Sequence, residues 1–328
     1  MKLTFWGVRG SIPVPGRETV IYGGNTSCYS IETENHFIIL DAGTGIRNLG
    51  KKIDKKVFII LFSHLHHDHH QGLPFFKWMY VPNRLINMYS PMRMNRSLMS
   101  ILKTELFDSP MFPVLLNDTK SKKKIEEIGP TDSIRLLSLD PNEKDFHKKL
   151  KSLFGSEWEE TIKLYPVIEN LHIKVPFNTP KLEGEVGTVE VCENLSHPQN
   201  GTLFYKIKEH KTGKTVVYAT DTEPYKGGDK NLIRFAKDVD ILIHDSQFTE
   251  EQYLSQSYIV QGFGHSDHKS AVEVAAAAGV RHLVLTHFDP NNNDETVEKM
   301  ERDAQEYAKK LGTTLRVTAA REGETIEI

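Results

Sequence analysis

The sequence predicts an α+β fold in which two β-sheets pack face to face with helices outside, a four-layer αββα sandwich. Three observations carry this expectation. Strand-like runs dominate residues 1–75 and return from residue 187 onward. Helical patterns intervene late in the chain. The polar residues with metal-binding character stand at the ends of apolar runs, as a site on one rim of a sheet sandwich requires.

The elements follow in order. Lys2–Val8, Cys28–Ile31 and His36–Leu40 read as strands separated by glycine turns, the third running into Asp41-Ala42-Gly43-Thr44-Gly45. Val57-Phe58-Ile59-Ile60-Leu61-Phe62 is too short and too β-branched for a helix and reads as a buried strand. Residues 80–186 are less regular and are expected to form an insertion, a lid or dimer contact near the site, within a single domain spanning 1–328. Within that stretch Leu85–Tyr89 is a short strand and Arg96–Leu106 a helix. Phe146, Leu150, Leu153 and Phe154 share one helical face between about Glu143 and Phe154. Lys120-Ser121-Lys122-Lys123-Lys124 is expected in a solvated loop or on a helix edge.

Thr188–Glu193, Thr202–Ile207, Thr215–Ala219 and Val239–His244 alternate or run apolar and are strands. Ser266-Asp267 is a helix start leading through Ala271–Ala278 to a stop at Gly279. Arg281–Thr286 is a strand and Glu295–Leu311 an amphipathic helix, and two short strands finish the chain.

Composition bounds the function. A net charge of −3 with 26% charged residues argues against a strongly basic nucleic-acid-binding protein. Two cysteines, Cys28 and Cys192, are too few for a disulfide framework and fit a reducing compartment. No basic leader opens the chain and no window approaches the roughly 20 apolar residues that span a bilayer, so a cytoplasmic protein without a membrane partner is expected.

The chemistry begins at Ser63–Gly72. His64, His66, Asp68 and His69 follow the apolar run at the spacing His-x-His-x-Asp-His, where side chains leaving a strand end can converge on one point. Three imidazoles and a carboxylate suit zinc or another borderline divalent metal better than calcium or magnesium. Framing by a strand before and Gly72-Leu73-Pro74-Phe75-Phe76 after separates the tract from an expression tag. His67 and His70 fall out of the ligand register and are expected at the surface or behind the ligands. A two-metal site needs about seven protein ligands if each ion keeps an open position. His197, Asp221 and His287, each after a strand-like run, are the candidates for the rest, with Asp41 the best candidate to fix an imidazole and His244-Asp245 a weaker one.

Taken in order, His-x-His-x-Asp-His, His197, Thr220-Asp221-Thr222, Gly264-His265-Ser266 and Thr286-His287-Phe288 closely resemble the metallo-β-lactamase-fold hydrolases. The branch resembled holds the ribonucleases Z and related phosphodiesterases. The opening Phe5-Trp6-Gly7-Val8-Arg9-Gly10-Ser11, with Gly24-Asn25-Thr26-Ser27, is similar to bacterial members of the cyclic-nucleotide phosphodiesterase-like type. The resemblance is strong over 1–76 and 189–290 and weak between them. It implies one metal held by His64, His66 and His197, a second by Asp68, His69 and His287, and Asp221 bridging both. It implies two divalent ions, zinc first, with manganese or iron as substitutes.

An aspartate rather than a cysteine at the bridging position disfavours antibiotic hydrolysis. Asp68 is a candidate general base and His265 a candidate to bind the phosphate or protonate the leaving oxygen. Arg9, Asn25 and Thr26 are equally suited to substrate contact or to turn formation. Net charge −3 and the lack of a glycine-rich arm rank a small cyclic-nucleotide-type phosphodiester first. Lys120–Lys124 and Lys148-Lys149-Leu150-Lys151 keep a tRNA 3′-processing endonuclease as the alternative. A non-hydrolytic diiron sensor is the third reading, and a homodimer the expected assembly.

Overall fold

Fifteen strands build two sheets among the described residues, which in this computed structural model are 1–91, 96–197 and 201–328. In chain order the elements begin β1 (Lys2–Gly7), β2 (Cys28–Glu32), β3 (Phe37–Leu40), α1 (Ile46–Lys52), β4 (Val57–Leu61) and α2 (His67–His70). They continue with β5 (Leu85–Pro91), α3 (Leu98–Ile101), β6 (Lys122–Ile128), β7 (Asp132–Ser138), α4 (Phe146–Phe154), α5 (Trp158–Leu164) and β8 (Asn170–Pro176). Then come β9 (Glu185–Asn194), β10 (Thr202–Glu209), β11 (Thr215–Ala219), α6 (Lys230–Phe235), β12 (Ile241–Asp245) and α7 (Glu250–Tyr253). The chain closes with α8 (His268–Ala277), β13 (His282–Thr286), α9 (Asp294–Lys310), β14 (Arg316–Ala319) and β15 (Thr325–Glu327).

One sheet runs β15-β1-β2-β3-β4-β5-β6 and the other β14-β13-β12-β11-β10-β9-β7-β8. Their inner faces meet in one apolar cluster that joins Leu3, Phe5, Ile31 and Leu61 of the first sheet to Val189, Leu203, Tyr218 and Val284 of the second. Outside the first sheet, Ile46, Leu49, Phe76, Trp78 and Leu98 pack on Ile39, Phe58 and Ile60. Outside the second lie α8 and α9, so the four expected layers are present. β4 reads as an unbroken apolar run because both its faces are covered: it lies between β3 and β5, parallel to each.

Capping fixes the two helices that cover the second sheet. Asp267 accepts from the Lys269 and Ser270 amides to start α8. The Asn293 side chain accepts from Thr296 N to start α9, whose Val297, Met300, Ala304 and Ala308 form the buried stripe.

Two stretches differ from expectation. Lys120–Lys124, expected in a loop or helix edge, runs into β6, which pairs parallel to β5 as the edge strand of its sheet. Lysines suit that place, because a charged edge does not recruit another strand. The helix expected over 96–106 is regular only over Leu98–Ile101 and continues as wider turns to Leu106. Residues 80–186 supply β5 and β6 to the first sheet and β7 and β8 to the second, crossing between the sheets near Gly129.

The topology determines where the site lies. β3 and β4 run parallel in one sheet, and β11, β12 and β13 run parallel in the other. Their C-terminal ends share one rim, and the residues just beyond are Asp41, His64, Asp221 and His287, with Asp245 as the last residue of β12.

Candidate metal centre

Backbone geometry marks three of these strand ends. Asp41, Asp221 and His287 have φ of 58°, 54° and 64°, the left-handed region that side-chain-bearing residues avoid. Each residue turns the chain sharply at a strand end and directs its side chain back over the rim. Such strain persists only where the surroundings over-determine it, and it concentrates at functional sites.

The side chains converge in two groups around Asp221. His64, His66 and His197 form the first, with imidazole centroids 4.5–4.8 Å apart. Asp68, His69 and His287 form the second. Asp221 Oδ1 faces the first, 3.6 Å from His64 Nε2 and 3.8 Å from His197 Nε2. Its Oδ2 faces the second, 3.4 Å from His69 Nε2 and 3.5 Å from His287 Nε2. Asp68 Oδ2 lies 3.2 Å from His69 Nε2 and 3.3 Å from His287 Nε2, and Ser11 N donates to it at 2.8 Å. One carboxylate thus spans two pockets lined by nitrogen and oxygen.

Hydrogen bonds set the tautomers. His69 Nδ1 donates to Asp41 Oδ2 at 2.8 Å, and its Nε2 is directed at the second pocket; burial would lower this imidazole, but Asp68, Asp221 and Asp41 hold it well above the usual histidine range. Ser63 Oγ donates to Asp41 Oδ2 at 2.7 Å, so it accepts from His64 Nδ1 at 3.1 Å and leaves His64 Nε2 as a lone pair. Asp41 therefore orients one imidazole of each group, directly in one case and through Ser63 in the other. His197 Nδ1 donates to Gly264 O at 3.2 Å, which leaves Nε2 as a lone pair 3.0 Å from His66 Nδ1. His64 Nε2 is buried and has no hydrogen-bond partner, and His69 Nε2 faces the carboxylates of Asp68 and Asp221. A buried nitrogen lone pair without a donor is costly unless a cation takes it, so the residues fit a pair of divalent ions.

The electrostatics agree. Burial, reinforced by neighbouring imidazoles, pushes His64 well below the usual histidine range, and burial takes His197 down to about 4. Both are neutral and available as donors at pH 7. Burial would raise Asp221, but the imidazoles of His287, His69 and His64 outweigh it and hold the carboxyl well below its usual range. Burial would likewise lower His287, yet Asp221, Asp68 and Asp245 lift it to about 9. The carboxylates in the second pocket demand positive charge, from protons or from a cation.

The groups border an open cleft of about 420 Å³, reached by Ser11, His66, Asp68, Asp221, His265 and His287. His265 Nδ1 donates to Asp245 Oδ2 at 2.8 Å. Asp245 Oδ1 accepts from Gln247 N at 3.0 Å and Ser266 N at 3.1 Å, which holds the carboxylate in place. A tighter cavity of about 270 Å³ lies at the opposite rim, lined by His36, Val57 and Ile59, away from every metal-binding group.

All seven ligand candidates, with Asp41 and His265, are thus gathered at one place. Of the weaker pair His244-Asp245, the aspartate reaches the site, whereas His244 Nδ1 donates to the Asp245 carbonyl at 2.6 Å and faces away. The signal for Asp245 was its place after an apolar run, shared with Asp221 and His287. Ser11, which contributes a backbone amide, has no signal in the sequence.

His67 is exposed, and His70 is buried with Nε2 on Leu65 O at 3.2 Å; neither belongs to a ligand group. Arg9, Asn25 and Thr26 make turns. Arg9 donates to the Gly23 and Asn292 carbonyls, Asn25 to Glu322, and Thr26 exchanges hydrogen bonds with Thr44. Pro198, which follows His197, lies outside the described residues.

Comparison with known proteins places this arrangement. A model of the Beta-lactamase superfamily domain matches residues 143–288. The chain is 25% identical to the ribonuclease Z of Picrophilus torridus over 321 residues, covering 89% of this chain and 87% of that one. It is 27% identical to the ribonuclease Z of Nitrosopumilus maritimus, covering 93% and 94%. Among solved structures it resembles the metallo-β-lactamase-fold protein YhfI of Bacillus subtilis, with TM-score 0.59, 18% identity and coverage of 100% and 98%. It also resembles the short form of human tRNase Z, with TM-score 0.55, 17% identity and coverage of 100% and 99%. The chain has the metallo-β-lactamase fold. The two sequence relatives above, similar over most of its length, are ribonucleases Z.

Proposed function

We propose that the chain is a two-metal phosphodiesterase that cleaves RNA in the manner of the ribonucleases Z to which it is related. The observation that carries the chemistry is the shared carboxylate, with Asp221 Oδ1 toward one set of imidazole nitrogens and Oδ2 toward the other. His64, His66 and His197 would hold one ion, Asp68, His69 and His287 the second, and Asp221 both. Two divalent cations held there supply Lewis acidity, which lowers the pKa of water and offsets the negative charge of a phosphodiester.

The protein's own groups do the rest. Asp68 borders the cleft and can accept a proton from an incoming water. Asp245 fixes His265 with Nδ1 protonated, so that Nε2 turns to the cleft to bind a phosphoryl oxygen or deliver a proton to the leaving oxygen. A relay of that kind supports hydrolysis over a non-hydrolytic diiron sensor.

The substrate reading differs from the ranking that charge alone suggests. Ribonucleases Z align with nearly the whole chain, and this supports RNA. A small cyclic phosphodiester is the second reading, supported by net charge −3 and by a cleft of about 420 Å³, in the usual size range of small-ligand sites. Residues 107–115 carry exposed Met111 and Leu115, and Phe112 contacts exposed Phe75. This apolar surface supports the lid or homodimer expected of 80–186.

One panel tests the reading: precursor tRNA, cyclic mononucleotides and bis-p-nitrophenyl phosphate, each with zinc and with manganese. We expect cleavage of precursor tRNA that weakens with rising salt. Cleavage of cyclic nucleotides with indifference to tRNA would install the second reading, and inactivity on every diester would remove both.

A further inference from the structure

Three loops bring side chains to the cleft from the second sheet, carrying His197, Asp221 and His265, and they meet at Glu223. Asn194 Nδ2 donates to Thr222 Oγ1 at 2.8 Å, Ser196 N to Asn194 Oδ1 at 2.7 Å, and Glu223 N to Ser196 Oγ at 3.0 Å. These bonds join the turn before His197 to the turn after Asp221. The Glu223 carboxylate then reaches the third loop. Its Oε1 accepts from the Tyr253 hydroxyl and from Gly262 N at 3.1 Å, and its Oε2 accepts from Gly264 N at 2.7 Å. Three donors converging on one side chain require an acceptor-only group, which an ionised carboxylate is and an amide is not.

The held loop has no regular structure between Leu254 and Gly264, and it exposes Tyr258, Ile259 and Phe263. Gly262 and Gly264 have φ of 88° and 84°, a conformation for which glycine is suited. Gly264 is where the loop meets the site. Its N–H is held by Glu223, its carbonyl receives His197 Nδ1 at 3.2 Å, and the next residue is His265.

We propose that Glu223 is a positioning residue of the cleft: it clamps the 254–264 loop so that the Gly264 carbonyl fixes the tautomer and direction of His197 while His265 is set beside Asp245. The part concerning His197 rests on the reading of the cleft as a metal site. The loop clamp stands without it. Glu223 makes no contact with the reacting atoms in this account, and it acts through Gly264.

The test compares wild type with Glu223→Gln and Tyr253→Phe by backbone hydrogen exchange, zinc competition against a chelator, and thermal melting. The glutamine directs an NH₂ at a backbone N–H that the carboxylate accepted. We expect exchange across 254–264 to rise about tenfold or more and zinc retention to fall by about 10–100-fold, with melting still cooperative. Tyr253→Phe removes one of the three donors without altering the acceptor, and should raise exchange less; it carries the test if the glutamine variant fails to fold.

Unchanged exchange in both variants overturns the clamp. Raised exchange with zinc retention as in wild type overturns the relay through Gly264. Wild-type protein that never retains zinc would instead remove the metal reading, while the exchange data still decide the clamp.

Discussion

Replacing Asp41 by asparagine should loosen both metal pockets from a residue that need not touch a metal. Four donors converge on this buried carboxylate: Ser63 N at 2.8 Å on Oδ1, and Ser63 Oγ at 2.7 Å, Tyr218 OH at 2.7 Å and His69 Nδ1 at 2.8 Å on Oδ2. An amide has one acceptor atom. If its oxygen takes the Oδ2 position it keeps three bonds, and its NH₂ then faces the Ser63 N–H. That lost bond and unsatisfied donor cost about 1–3 kcal/mol. The three retained bonds lose the advantage of a charged acceptor, roughly half their strength. An amide is easier to bury than a carboxylate, which offsets part of the loss. About 2 kcal/mol of net destabilisation remains.

Urea unfolding of metal-free protein isolates this effect from stabilisation by bound metal. Because Asp41 directs His69 itself and His64 through Ser63, zinc retention should also fall by about 10–100-fold. An unfolding midpoint at the wild-type value together with wild-type zinc retention would refute the reasoning. The network would then be passive.

The remaining expectations are more direct. Asp221→Ala should abolish phosphodiester hydrolysis and release metal, and full activity at unchanged metal content, measured by elemental analysis, would reject Asp221 as the shared ligand. His265→Ala should lower the rate by about 10²–10⁴-fold while metal is retained; loss of metal would make it a ligand or support instead. Burial holds His36 at about 4 in the folded protein, against an ordinary value of 6.5. Between those limits the unfolded chain takes up a proton that the folded one refuses, so stability falls as pH drops from 6.5 toward 4, by about 3 kcal/mol at most. His36→Gln should flatten that part of the pH profile of urea midpoints, and an identical slope in both proteins would count against it. In metal-free protein Asp221→Gly should be more stable than Asp221→Ala by about 1 kcal/mol, because glycine accepts a φ of 54° without strain.

Much of this site can be read from the sequence because metal ligands must be particular residue types, and because strand ends on one rim must supply them. The spacing from His64 to His69 needs no tertiary information, and His197, Asp221 and His287 each announce themselves after an apolar run. The supporting groups are less legible. Ser63 and Ser11 act through a hydroxyl and a backbone amide that any loop possesses. By sequence Arg9 suits substrate contact and turn formation equally, and in the fold its guanidinium is spent on backbone carbonyls. β8 did carry a signal, since Leu171, Ile173 and Val175 alternate, but β7, which pairs with it, also pairs with the distant β9. Non-local pairing of that kind leaves no local pattern. The lysines of β6 obscured an edge strand for the same physical reason that they protect it.

Asp41, Asp221 and His287 follow one construction rule: a strand delivers the chain to the rim, and a single residue with positive φ reverses it. Asp41, at the end of β3, accepts from Tyr218 on β11, so the two sheets are joined through the residue that orients His69. Close packing completes the rule at His287: a Cβ on Gly10 would come within 2.5 Å of that imidazole, so glycine there lets the first loop press against a ligand of the second sheet. The metal pockets are thus a seam between the sheets. Any change that lets the sheets shift relative to one another separates His64, His66, Asp68 and His69 on one side from His197, Asp221 and His287 on the other.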